Sequence, residues 1–122
     1  MRPDVVIVDE PTTGQDLREA HAIMAFLLEL ARHEGQTVIV ITHAMQLAAA
    51  YADLVVALYE GRVIAAGPPE DVFRQEDVLR RTMVKPPAVI ALGNRLGLNP
   101  PPLTLEEAFR AFLNGAQEVA QA

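Results

Sequence analysis

Two acidic residues of the chain stand where they could do chemistry. Asp9 and Glu10 directly follow four β-branched residues, Val5–Val8. A carboxylate at the end of a buried strand is costly unless a cation, a donor or solvent meets it. Asp9 could hold a hard divalent cation such as Mg²⁺, directly or through water, because Mg²⁺ prefers oxygen ligands. Glu10 could orient or deprotonate a water molecule, and the plainer alternative is a pair of solvated acids ending a strand.

A threonine and a histidine follow a second apolar segment in the same way. Thr42 and His43 come directly after Thr37–Ile41. His43 could contact a phosphate or relay a proton, and taken alone it could equally be a hydrogen-bonded core histidine. Ligands of parallel α/β sheets bind at the carboxyl ends of the strands. The four polar residues therefore predict one candidate site at one edge of a sheet.

The elements that position these residues are two strands and the helix between them. Continuous apolar runs, unlike alternating ones, predict strands buried on both faces. Asp16, with Glu19 three residues later, is typical of a helix start, and Gly35 of a helix end. A strand–helix–strand segment of this length predicts parallel pairing in an α/β layer.

The middle of the chain predicts a hairpin. A short alanine-rich helix through Tyr51 leads to a third strand, Leu54–Tyr59. Glu60 and Gly61 form a tight turn into a fourth strand, residues 62–66. A short helix then runs from Glu70 to Phe73.

Prolines punctuate the chain after Gln75, and two or three short helices are expected there. The last begins at Thr104, where Glu107 completes a Thr-x-x-Glu capping box. Its apolar face consists of Ala108, Phe109, Phe112 and Leu113. We therefore predict two parts, an α/β part over residues 1–74 and a helical extension over residues 75–122.

Composition narrows the function classes. The chain has 122 residues, enough for one ordinary domain, and a net charge of −6. This charge argues against binding nucleic acid over a broad basic face. There are no cysteines, which excludes disulfides, thiolate nucleophiles and cysteine-ligated zinc. His21 and His33 are expected at the surface.

Several of these segments resemble one family, the ABC-type ATPases. Val5–Thr12 looks like their Walker B motif, Thr13–Asp16 is similar to their D-loop, and Ile39–His43 resembles their H-loop. Residues 60–73 resemble the hairpin and helix that usually follow. Gln15 and the proline-rich tail look closest to the energy-coupling-factor, or cobalt-type, importer ATPases. The resemblance implies a partial P-loop NTPase core with a mostly parallel sheet, a hairpin and a helical extension.

The resemblance also implies roles. The chain would be an ATP-binding subunit that drives import of a micronutrient or metal ion, with ATP sandwiched against a second ATP-binding subunit. It would work with transmembrane subunits from the cytoplasmic, inner face of the cell membrane. Asp9 would support Mg²⁺, Glu10 would activate the attacking water and His43 would contact the γ-phosphate. Asp16 and Thr42 would contribute to nucleotide binding, Asp16 from across the dimer.

Three motifs of this family are missing from the 122 residues. The phosphate-binding loop, Gly-x-x-x-x-Gly-Lys-[Ser/Thr], is absent, as are the glutamine loop and the Ser-Gly-Gly-Gln signature. The chain therefore looks like the C-terminal half of such a subunit, Met1 like an internal methionine of the family, and we expect no activity from the chain alone.

Two alternatives stay open. The chain could be a non-enzymatic module that binds full-length ATPase subunits through its helical tail. It could also be an unrelated Mg²⁺-dependent phosphotransfer domain such as a receiver. Lys85, the only lysine, lies in a proline-rich connector, which argues against a receiver.

Overall fold

The elements of the chain alternate between strand and helix and then become entirely helical. A computed structural model describes residues 2–82 and 85–121, so the expectation about Met1 lies outside the described residues. The elements are β1 (Val5–Asp9), α1 (Leu17–His33), β2 (Thr37–Ile41), α2 (Met45–Tyr51), β3 (Val55–Tyr59), β4 (Arg62–Gly67), α3 (Pro69–Phe73), α4 (Glu76–Arg81), α5 (Ala88–Arg95) and α6 (Leu105–Gln121).

The chain divides into two compact units, Met1–Tyr51 and Ala52–Ala122. The predicted boundary between residues 74 and 75 concerns where the family resemblance ends, and it stays a prediction. The predicted α/β class is confirmed: the structure contains a parallel pair of strands, a hairpin and a C-terminal helix. No helix within the described residues is both long enough and apolar enough to cross a membrane.

The first unit is built on a parallel pair of strands. β1 and β2 pair in register from Val5 opposite Thr37 to Asp9 opposite Ile41. One face of this pair packs against a buried cluster from α1 and α2, namely Ala20, Met24, Leu27 and Leu47. The helical spacing of the apolar residues of α1 places them on this one side.

The expectation that both strands are buried on both faces is wrong for the described chain. Their residues alternate between half-buried and exposed, and Ile7 and Ile41 are 63% and 53% exposed. The physical reason is that α1 and α2 cover a single face of the pair. A continuous apolar run shows that both faces of a strand could be buried. In the described chain, helices cover only one face of β1 and β2.

His21 also differs from its predicted surface position. Its ring is half-buried, and its Nδ1 lies 2.9 Å from the hydroxyl oxygen of Tyr51. The two rings are 5.5 Å apart, and the Tyr51 hydroxyl is also placed to donate to the His21 carbonyl oxygen. This pair joins α1 to α2. Helical periodicity within α1 could not predict it, because Tyr51 lies 30 positions away in the sequence.

The second unit starts with the predicted hairpin. β3 and β4 are antiparallel and are joined by Glu60 and Gly61, with φ of 47° and 72°. Two consecutive positive φ values match the turn geometry whose twist suits a two-residue hairpin. α3 packs against both strands and buries Val72 and Phe73 completely.

The described residues after Gln75 form three helices, the upper number predicted, and the last of them, α6, is longer than the short helix expected. α5 packs so closely against the proline segment 100–102 that a Cβ on Gly93 would overlap the Pro102 ring. α6 begins after Thr104, whose hydroxyl accepts from the Glu107 N–H at 3.2 Å. The Glu107 carboxylate accepts from the Leu103 N–H at 2.8 Å, one residue before the Thr104 N–H that a capping box uses.

Candidate functional site

The candidate site lies where β1 and β2 end, entirely within the first unit. The last ladder bond runs from the Glu10 N–H to the Ile41 carbonyl oxygen, at 2.8 Å. Glu10 then takes a left-handed conformation with φ of 47°, which is uncommon for a residue with a side chain. Such conformations cost free energy and persist where the surrounding structure holds them, here at the start of the tight turn that the Thr13 N–H closes on the Glu10 carbonyl oxygen.

The carboxylate of Glu10 joins the two strand ends. Its Oε1 accepts from the His43 backbone N–H at 3.1 Å and lies 2.8 Å from the His43 ring Nδ1. Its Oε2 accepts from the Thr13 hydroxyl at 3.2 Å, and the Thr42 hydroxyl lies 3.5 Å away. The structure thus brings together Glu10, Thr42 and His43, as the sequence predicted for the edge of a parallel sheet.

These donors act on the acidity of Glu10. The hydrogen bond from the His43 side chain, followed by the charge of His43 and the hydroxyl of Thr13, lowers the pKa of Glu10 below its ordinary value of 4.5. Partial desolvation works in the opposite direction and is outweighed. Glu10 is therefore an anion at neutral pH.

His43 is the most accessible part of this arrangement. Its side chain is 78% exposed, whereas that of Glu10 is 34% exposed. A ring nitrogen bonded to a carboxylate fixes the orientation of the imidazole and directs the other nitrogen, Nε2, away from the carboxylate. His43 can therefore bond Glu10 with one nitrogen and an incoming ligand with the other.

Thr42 has a structural task as well. Its hydroxyl oxygen accepts from the Ala44 N–H at 3.0 Å, just before α2 begins at Met45. This bond satisfies one of the otherwise unpaired N–H groups at a helix start. Its role in binding a cofactor stays a prediction.

Asp9 is an exposed carboxylate at the end of β1, and its side chain lies on the exposed face of the strand pair. Within residues 2–82 and 85–121, no cluster of three or more His, Asp or Glu side chains could hold a metal ion. Mg²⁺ is usually bound by one or two carboxylates together with waters and substrate phosphates. A single exposed carboxylate such as that of Asp9 is compatible with this mode of binding, and its role toward Mg²⁺ stays a prediction.

Asp16 lies at the start of α1 and caps it. Its carboxylate accepts from the Glu19 N–H at 2.8 Å, which confirms the predicted helix cap. Asp16 is exposed and lies at the end of two successive turns that begin at Glu10. The structure does not bring its side chain into the hydrogen-bond network of Glu10, and its action across a dimer stays a prediction.

Thr13 is the residue of this network that the sequence did not single out. Its N–H donates to the Glu10 carbonyl oxygen at 3.3 Å, and its hydroxyl donates to the Glu10 carboxylate. A signal exists, because Pro11 and Gly14 mark tight turns here and a turn brings together residues three positions apart.

The fold and the site place the chain in a class. Two parallel strands joined through a helix, with acidic and hydroxyl residues at their carboxyl ends, are the sheet edge at which α/β proteins bind ligands. A solved structure gives the class more closely: CbiO1 from Clostridium perfringens, described as part of the ABC transporter complex CbiONQ. It is 38% identical, with a TM-score of 0.56, over 74% of this chain and 36% of that one. The fold of this chain therefore matches about a third of that ABC transporter protein.

Sequence comparison finds other ABC transporter proteins. A putative ABC transporter ATP-binding protein of Methanopyrus kandleri is 41% identical over 87% of this chain. The energy-coupling factor transporter ATP-binding protein EcfA of Methanothermobacter thermautotrophicus is 36% identical over 93% of it. No family model matches the chain.

The homologues of this chain are thus ABC transporter ATP-binding proteins, energy-coupling-factor proteins among them, over most of its length. The chain spans 40% of the length of the Methanopyrus relative and 38% of the Methanothermobacter relative.

Proposed function

We propose that this chain supplies the catalytic strand ends of an ABC importer ATPase, with Glu10 as the general base for ATP hydrolysis. The observation that carries the proposal is the Glu10–His43 pair, with 2.8 Å between Oε1 and Nδ1 at the carboxyl ends of paired parallel strands. The homologues, which include energy-coupling-factor and CbiO proteins, support an importer of a micronutrient or metal ion.

In this proposal each residue has a distinct task. Glu10, anionic and held on both oxygens, accepts a hydrogen bond from the attacking water and then its proton. His43 contacts the γ-phosphate through Nε2 while Nδ1 stays with Glu10. Asp9 and its waters would hold Mg²⁺, which when bound neutralises developing phosphate charge.

The remaining predicted roles concern assembly. Asp16, exposed at the start of α1, acts across a dimer with a second ATP-binding subunit, and Thr42 contributes to nucleotide binding. CbiO1 is described as part of the ABC transporter complex CbiONQ, and this supports a position of the chain beside transmembrane subunits, on the cytoplasmic face. The phosphate-binding loop, which is absent from these 122 residues, has to come from elsewhere for the site to work.

The proposal is tested in what we call the completed subunit, an ABC transporter ATP-binding protein whose matching segment is replaced by residues 2–121. Glu10→Gln should reduce steady-state hydrolysis by about 100-fold or more, since a general base contributes that much, while ATP affinity stays within about twofold. Glu29→Gln, an exposed residue of α1, is the matched control. A normal turnover number in Glu10→Gln would contradict the general-base role.

A second candidate function rests on α6. This helix buries none of its side chains, and Phe109 and Phe112 are 62% and 69% exposed. We propose as the alternative that the chain is a non-enzymatic module that binds full-length ATPase subunits through this face. Titrating the chain into a purified full-length subunit distinguishes the two. The alternative requires binding that is lost in Phe109→Gln with Phe112→Gln and unaffected by Glu10→Gln.

A further inference from the structure

We infer that Thr13 is a positioning residue for Glu10, one that holds the carboxylate independently of the end of β2, where His43 would meet a phosphate. This inference rests on the proposed function for its catalytic meaning. The two hydrogen bonds between Thr13 and Glu10 do not depend on that function.

Thr13 holds Glu10 at two points. Its N–H donates to the Glu10 carbonyl oxygen at 3.3 Å, which fixes the backbone turn. Its hydroxyl donates to Oε2 at 3.2 Å, which fixes the far end of the side chain. A glutamate side chain has three rotatable bonds, so anchoring both ends restricts the positions that the carboxylate can take.

The two carboxylate oxygens are held by different loops. Both donors of His43, its backbone N–H and its ring, meet Oε1, whereas Thr13 meets Oε2. The Thr42 hydroxyl, 3.5 Å from Oε2, is at the limit of a hydrogen bond and is already engaged with the Ala44 N–H. Thr13 is therefore the side-chain anchor of Glu10 that does not depend on β2.

This division matters for the chemistry proposed above. The His43 ring has Nδ1 on Oε1 of Glu10, so any adjustment of the ring to a phosphate at Nε2 reaches the Glu10 carboxylate. A general base that moved with it would lose its alignment with the attacking water. The bond from Thr13 comes from the loop that follows β1, so it holds Oε2 independently of the His43 ring.

The geometric test uses the 122-residue chain and NMR. Side-chain scalar couplings of Glu10 should indicate one dominant rotamer in the native chain and in Thr13→Ser, and rotamer averaging in Thr13→Val. Because Thr13 is exposed, the valine variant should fold, and backbone amide spectra verify this. Thr37→Val, at the opposite end of β2, is the matched control. Unchanged Glu10 couplings in Thr13→Val would overturn the inference.

The kinetic test uses the completed subunit. Thr13→Val should lower kcat by about tenfold with little change in the KM for ATP, and Thr13→Ser should restore it. Full activity in Thr13→Val would overturn the inference as well. If Glu10→Gln retains normal turnover, the proposed function fails, and the NMR measurement still decides whether Thr13 positions Glu10.

Discussion

At the scale of single residues, the site is a carboxylate shared between two loops. Glu10 has a left-handed backbone conformation, with φ of 47°, and its carboxylate accepts hydrogen bonds from Thr13 and His43. The sequence could identify Glu10 and His43 because acids and histidines at strand ends need partners. It could not predict the conformation of Glu10, since this arises from the path of the loop, although the turn signals at Pro11 and Gly14 indicate the contact with Thr13.

A first prediction concerns the acidity of Glu10. His43→Ala should raise the pKa of Glu10 toward 4.5, because the His43 side-chain hydrogen bond is the largest cause of its lowering. The measurement is an NMR titration of the Glu10 carboxyl carbon. His33→Ala, an exposed histidine at the end of α1, should leave this pKa where it is. A pKa that stays as low in His43→Ala as in the native chain would contradict the account.

The same shift sets the direction of a pH dependence. A carboxyl whose pKa is lower in the folded state stabilises the fold above the unfolded-state pKa, here about 4.5, and this stabilisation is lost as pH falls through the folded value. Acidification below about 4.5 should therefore weaken the native chain more than Glu10→Gln, as measured by urea unfolding at pH 7 and pH 3.5. A pH profile identical in both proteins would be inconsistent with this linkage.

At the scale of elements, the sequence predicted where strands, helices and turns lie better than it predicted which of their surfaces are buried. The β-branched residues of β2, the cap at Asp16 and the turn at Glu60 and Gly61 lie where the sequence indicated, because each depends on near neighbours. The exposed face of β1 and β2 and the His21–Tyr51 pair were missed, because they depend on which distant element covers which surface.

A second prediction concerns the close approach of α5 to the proline segment. Gly93→Ala should destabilise the second unit by about 1–3 kcal/mol, because the new Cβ would overlap the Pro102 ring and lie 3.4 Å from the Pro101 Cα. Gly115→Ala is the matched control on α6, where nothing lies within 4 Å of the added Cβ. It should instead stabilise the helix by about 1 kcal/mol.

Thermal melting of the two variants measures both effects. A Tm of Gly93→Ala equal to or above that of the native chain would show that the proline segment yields freely, and the packing described for α5 would then be wrong.

At the scale of the whole molecule, large apolar side chains are exposed in both compact units. The uncovered face of β1 and β2, and the apolar stripe of α6 with its groove of about 640 Å³ beside α5, are separate patches in separate units. Large exposed apolar patches mark surfaces that associate with other surfaces. This agrees with a chain that spans 40% or less of its two described relatives.

A third prediction concerns α6. Deleting residues 101–122 should lower stability or abolish self-association, because it removes both the apolar stripe and the buried prolines packed on Gly93. Phe109→Gln with Phe112→Gln separates the two effects, since it leaves the prolines in place and should change association alone. Sedimentation and melting curves that are both unchanged by the deletion would make the tail dispensable.

The central claim is that these residues carry catalysis and that the phosphate-binding part lies outside them. It is tested most directly by comparing Mg²⁺-dependent ATP hydrolysis by the 122-residue chain and by the completed subunit, each with and without Glu10→Gln. The account predicts that the chain alone hydrolyses ATP no faster than its own Glu10→Gln variant. It also predicts that the completed subunit is faster by about 100-fold or more and loses this rate in Glu10→Gln. A Mg²⁺-dependent rate of the chain alone that disappears in Glu10→Gln, or a completed subunit insensitive to that change, would contradict it.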